Sequence, residues 1–117
     1  VASRVCTRTC YSWTAVNAQG SIIVAPPGVS ACDAAVEGGQ FNLVSDGTCG
    51  ASVAGDALLA PLGANGGPTL TQAPGAGSGA IDAIAPGTAL LCDAALVDQR
   101  GQSRPAGPAC DIGAFEQ

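Results

Sequence analysis

The sequence predicts an all-β chain whose short strands wind as a parallel solenoid stapled by disulfides. Three observations predict it: large apolar side chains are scarce, turn residues recur at short intervals, and six cysteines are spread along the chain. Hydrophobic residues make up 47% of the 117, yet 23 of them are Ala and only 24 are Leu, Ile, Val or Phe. Ala, Gly and Pro together number 48, which argues against long amphipathic helices around a thick core. So low a share of large aliphatics borders on the composition of disordered chains. A net charge of −5 with 11% charged residues, however, leaves little self-repulsion to hold the chain open. A thin-cored single domain, residues 1–117, follows.

Residues 1–13 carry two Cys, two Arg, Tyr11 and Trp13, and read as an N-terminal cap or interface segment. Residues 14–50 read as the coils. Stretches 14–20 and 21–25 are strands closed by a turn at Pro26, Pro27 and Gly28; 34–36 and 41–44 are strands ahead of a turn at Ser45, Asp46 and Gly47. Strands of mostly three to five residues, broken every seven to ten, suit coils joined by corners better than hairpins. Residues 51–88 are rich in Gly, Ala and Pro. Leu58, Leu59, Leu62, Leu70, Ile81 and Ile84 are spaced through them as anchors, which predicts an irregular segment packed onto the scaffold. Residues 89–117 read as a terminal coil and cap, and the echo of CDAAV at 32–36 by CDAAL at 92–96 as coincidence in an Ala-rich chain.

The chain has no His, no Lys and no Met. That excludes a Ser-His or Cys-His nucleophile, a His-ligated metal and a lysine Schiff base. All four cations are Arg (Arg4, Arg8, Arg100, Arg104), too few against nine carboxylates for a nucleic-acid footprint. No apolar run approaches the ~20 residues of a membrane span, so a soluble chain with no membrane span is expected, and Val1 is expected to follow a cut in a longer precursor.

The even cysteine count without zinc spacing favours disulfides, and with them a secreted or cell-surface location. Cys32 and Cys49 stand 17 residues apart and Cys92 and Cys110 stand 18 apart, which suggests neighbour pairing and leaves Cys6 with Cys10.

Four stretches resemble a known family: 19–24 (QGSIIV) with Cys32 and 41–50 (FNLVSDGTCG); 58–71 (LLAPLGANGGPTLT); 80–83 (AIDA); and 98–101 (DQRG) with Arg104, Pro105 and 110–116 (CDIGAFE). They are similar to the C-terminal portion of bacterial right-handed parallel β-helix surface proteins, of the choice-of-anchor Q or polymorphic-outer-membrane type. The likeness runs from about residue 20 to 116, and the second and fourth stretches are its most specific parts. Gln72 stands where that family has His, and 78–84 (SGAIDAI) departs from its SPAIDAG. The resemblance implies a short right-handed parallel β-helix with an irregular C-terminal segment, a surface address and no reaction. Absence of the family's upstream coils implies a processed C-terminal piece or a shortened relative.

Asp98, Arg100, Arg104, Asp111 and Glu116 crowd the last 20 residues. They read as structural ion pairs that close the end of the fold, with Arg100 on Asp98 or Asp111. Asp33, Glu37, Asp46 and Asp56 are the carboxylates a polysaccharide-cleaving site could use, but without Lys or His they lack the usual partners for an acidic sugar. Asp46-Gly47 and 65–68 (NGGP) read as turns, not as a calcium loop or a phosphate cradle. Tyr11 and Trp13 are candidates for a subunit interface. No catalytic residue, metal ligand or cofactor is expected. The sequence predicts a non-catalytic, disulfide-stapled structural protein that self-assembles end to end as a homo-oligomer or filament in an adhesin-like, extracellular setting. The alternatives are a remnant that binds or cleaves polysaccharide, with surface glycans as partners, and a processed anchoring or secretion module of a larger adhesin.

Overall fold

In the computed structural model, residues 16–37, 40–50 and 53–117 are described, so Cys6, Cys10, Tyr11 and Trp13 lie outside the described residues. Pairing forms where β-branched and Leu side chains stand together. Strand β1 (Ile22–Ile23) runs parallel to β2 (Leu43–Val44), with Ile22 opposite Leu43 and Ile23 opposite Val44. Parallel bridges from Leu43 to Val53 and from Asn17 to Glu37 extend the contact by single residues.

Strand β2 starts only at Leu43 for a local reason. Phe41, in the expected strand 41–44, has φ +54°, a left-handed conformation that costs a bulky side chain free energy and takes it out of the ladder. Asn42, fully buried, replaces the missing ladder bonds with its side chain: Oδ1 accepts the N–H of Ser21 at 3.1 Å and Nδ2 donates to the carbonyl of Ala18 at 2.7 Å. A polar side chain this buried has to be satisfied on both atoms, and here it also locks the two segments in register.

The predicted right-handed parallel β-helix is not formed. Among the described residues there are two dipeptide strands and no helix. Beyond Val53 the bridges are isolated and antiparallel, Leu59 with Pro74, Gly63 with Thr71, Ile84 with Cys110 and Val97 with Ser103. A solenoid needs the same strand stations on every coil. Between 58 and 90 the chain instead enters the left-handed region at Leu58, Gly66, Gly67, Gly77, Asp82, Gly87 and Leu90, and where it pairs it does so by single antiparallel bridges, which add no parallel rung.

The core is correspondingly thin. Leu43, Ile84 and Ile112 supply its large side chains, and Ala57, Ala80, Cys92 and Cys110 fill the rest, with Ile22, Phe41, Val53, Leu59, Ala83 and Leu91 half-buried around them. Of the expected anchors only Ile84 is buried; Leu58, Leu62 and Leu70 are exposed at 45%, 61% and 54%. Small residues let the backbone do the packing instead. Gly79 crosses residues 54–55 so closely that a Cβ on it would lie 2.7 Å from the carbonyl oxygen of Ala54, and its N–H donates to the Asp56 carbonyl.

Candidate functional site

The charged residues of the C-terminal segment fold around one turn. Asp98 opens it: Oδ1 accepts the backbone N–H groups of Arg100 at 2.7 Å and Gln102 at 3.0 Å, and Gly101 supplies the positive φ that closes the turn. Oδ2 faces the other way and accepts Nε and Nη2 of Arg100 at 2.9 and 2.8 Å and the N–H of Glu116 at 3.0 Å. One buried carboxylate therefore holds both the turn and the tail. Arg100 extends the tie by donating to the carbonyls of Asn65, at 3.3 Å, and Glu116, and its guanidinium lies 3.5 Å from the centroid of the Phe115 ring. Gly67, at φ +78°, touches the Arg100 backbone where a Cβ would stand 2.7 Å from Cα.

Arg104 makes a second tie. Nη1 donates to Glu116 Oε2 at 2.9 Å and to the Asp111 carbonyl at 2.8 Å, and Nη2 donates to the Gly113 carbonyl. Glu116 Oε2 also accepts the Asp111 N–H at 3.0 Å, while Oε1 accepts only the Ala106 N–H, at 3.2 Å. The Asp111 carboxylate is used on backbone: it accepts the N–H of Asp82 at 2.7 Å and of Gln117 at 2.8 Å. Arg100 thus pairs with Asp98, and Arg104 pairs with Glu116 rather than with either aspartate. The sequence shows that the charges are close, but partner choice depends on the path of residues 111–116.

The surroundings shift two of these carboxyls in opposite directions. Burial pushes Asp98 up, but the N–H groups of Glu116 and Gln102 and the Arg100 side chain outweigh it and hold the carboxyl below the usual range. Burial pushes Glu116 up, the neighbouring Asp111 charge adds to it, and the N–H groups of Asp111 and Ala106 with Arg104 do not cancel the rise.

Cys32 is bonded to Cys49 and Cys92 to Cys110. The second pair is fully buried beside Ile84, which exchanges backbone hydrogen bonds with Cys110 in both directions at 2.9 Å. Two depressions, about 200 and 490 Å³, share Gly20 and Gly113 in their lining. Leu90, Leu91, Leu96 and Val97 line the first, and Leu59, Leu62, Leu70, Gln72 and Gln99 the second. None of Asp33, Glu37, Asp46 or Asp56 lines either. Asp46 instead accepts the Thr48 hydroxyl at 2.7 Å and the backbone N–H groups of Thr48 and Ala31, which keeps its carboxyl below the usual range. Asp56 accepts the N–H of Leu58 at 3.1 Å.

Comparison with known families, curated proteins and solved structures finds no match.

The chemistry available is therefore what the residues themselves offer. The charged groups of 98–116 bind backbone and one another, and among the described residues no buried side-chain nitrogen or oxygen lacks a partner. No group of three His, Cys, Asp or Glu suited to a metal ion occurs among the described residues, and no helix there is long and apolar enough to cross a membrane. Sequence reasoning missed Asn42, Ser78 and the role of Glu116 as the partner of Arg104. Ser78 donates to the Ala57 carbonyl at 2.7 Å and accepts the Ala80 N–H at 3.1 Å. Nothing in composition separates such buried polar residues from exposed ones.

Arg100→Ala is expected to destabilise the fold by about 2 kcal/mol, the scale of a charged hydrogen bond, because Asp98 keeps three backbone donors after the guanidinium is gone. Thermal unfolding checks this: at ~4 °C per kcal/mol, Tm falls by about 8 °C, and an unchanged Tm would show that the Arg100 ties contribute nothing.

Proposed function

We propose that the chain is a non-catalytic structural module of the cell surface or extracellular space. The observation that carries this reading is the C-terminal segment itself. Its charges, the densest in the sequence, are turned inward onto backbone N–H and C=O groups, an arrangement that fastens a tail and offers no free acid, base or nucleophile. Two disulfides support an oxidising location. The likeness of residues 58–71 and 98–116 to bacterial surface proteins supports the same address.

Assembly into a filament has weaker support. Strand β1 has a neighbour on one side only among the described residues, but the far edge at Val53 is followed by residues 54–55 crossed by Gly79. Copies meeting edge to edge at β1 would close as pairs instead of propagating. The alternative of polysaccharide cleavage has the four exposed carboxylates in its favour, but neither depression gathers them.

Two measurements on one preparation test the reading. Incubation with neutral and acidic polysaccharides is expected to release no new reducing ends or unsaturated sugars, and sedimentation is expected to find monomers or pairs across the accessible concentration range. Turnover of any polysaccharide would overturn the structural assignment, and fibres would overturn the closed-pair argument.

A further inference from the structure

The charges of the tail cluster do not balance. Three carboxylates, Asp98, Asp111 and Glu116, face two guanidinium groups, Arg100 and Arg104. The Asp98 and Glu116 side chains are 0% exposed, Arg100 and Arg104 13% and 10%, and Asp111 is 1% exposed. One negative charge is left over in a place from which water is largely excluded, and an unbalanced buried charge is relieved most directly by taking up a proton.

The hydrogen bonds decide where a proton can go. Asp98 receives five donors on its two oxygens, so protonation there would set a donor against a donor. Each oxygen of Asp111 receives a short backbone N–H bond, from Asp82 at 2.7 Å and Gln117 at 2.8 Å. Glu116 Oε2 receives two donors, but Oε1 receives one, at 3.2 Å, and so is the least committed oxygen of the six. The charged groups around it are Arg104 and Asp111, with Arg100 and Asp98 joined to its backbone and Asp82 behind Asp111.

We propose that this cluster is a proton-operated clamp: Glu116 Oε1 takes one proton from solvent under mildly acidic conditions, and the neutralised cluster then holds the tail, residues 110–117, more tightly to the scaffold. No bond other than the new O–H forms or breaks, and both Arg104 ties to the tail carbonyls persist. Burial raises the Glu116 carboxyl, so the folded state binds this proton more tightly than the unfolded chain. Its contribution to stability is therefore complete below the ordinary glutamate value of about 4.3 and is lost as pH rises through the raised value. Asp98 sets the acid limit, because its lowered carboxyl contributes stability that is lost only as pH falls below about 3.9. A protein so built is hardest to unfold in weak acid and not at neutral pH.

Carbon-detected NMR of the intact native protein, following the Glu116 carboxyl through a pH titration, tests the clamp directly. Its midpoint is expected above the ordinary glutamate value; a midpoint at or below that value would overturn the proposal. Thermal unfolding gives an independent readout. The native protein's Tm is expected to climb as pH falls from neutral to about 4.3, Glu116→Gln to lose most of that climb, and Glu37→Gln, which removes the same charge at an exposed position, to keep it. An equal climb in all three would assign it to the net charge of the chain and sink the clamp.

Discussion

Asp98→Asn is expected to destabilise the protein by about 3–5 kcal/mol, the cost of breaking a buried charged network by altering one member. The change is nearly isosteric, so its effect is electrostatic and not steric. Asp98 acts only as an acceptor, with Arg100 N–H and Gln102 N–H on one oxygen and Arg100 Nε, Arg100 Nη2 and Glu116 N–H on the other. An asparagine has one oxygen to give. Whichever way its amide is turned, its NH2 group meets at least two N–H donors, and in one orientation it meets the guanidinium. The turn at 98–101 and the tail at 116 then lose their common tie together. Urea unfolding measures the loss as a fall in midpoint at little-changed slope. A loss under about 1 kcal/mol, the scale of an ordinary neutral hydrogen bond, would show that the turn holds without its carboxylate.

The contrast with Glu116 sharpens this expectation. Both carboxylates are buried and both face an arginine, yet five donors surround one and three the other. Burial raises both, but five donors outweigh it at Asp98, whereas at Glu116 three donors do not outweigh burial and the neighbouring Asp111 charge.

How far this was legible in the sequence differs between elements. Crowding of Asp98, Arg100, Arg104, Asp111 and Glu116 in a chain with little other charge by itself marks the tail as an ion-pair region. The Asp98-x-Arg100-Gly101 spacing even carries the turn, because an aspartate bonds the N–H two residues on and glycine accepts positive φ. Partner identity was not legible, since Glu116 reaches Arg104 only because Gly113 and the backbone of 111 are also held by it. The solenoid expectation failed for a related reason. Phe41 belongs to a strand by side-chain type, and Leu62 and Leu70 to a core, but φ at Phe41 and the path of the 63–71 bridge are set by contacts elsewhere. Asn42 falls inside the strand expected at 41–44 and instead stands in for its ladder bonds with its own side chain.

Loss of the Cys92–Cys110 disulfide is the other change expected to have a large effect. Its sequence separation is 18, and a crosslink closing a loop of about 15 residues stabilises a fold by ~3 kcal/mol through the entropy it removes from the unfolded chain. The native side adds to this, because both sulfurs are fully buried in a core whose other large members are few. Replacing both by Ala shortens two side chains in a buried cluster whose large members are Leu43, Ile84 and Ile112. The disulfide also positions Cys110 against Ile84, whose paired hydrogen bonds align the segment leading into Asp111 and the rest of the clamp. Cys92→Ala with Cys110→Ala is therefore expected to cost at least 3 kcal/mol, a large part of the ~5–15 kcal/mol a domain has in total. The matched pair Cys32→Ala with Cys49→Ala closes nearly the same length of chain, with a separation of 17, but Cys32 is half-buried and Ala31 is tied to Asp46 independently. Its cost is expected to stay near the entropic value. Urea midpoints of the two double variants separate the contributions, since the unfolded-state term is common to both and the difference reports the core. Equal midpoints would mean that Cys92 and Cys110 act on the unfolded chain alone, and that the thin core does not depend on them for packing.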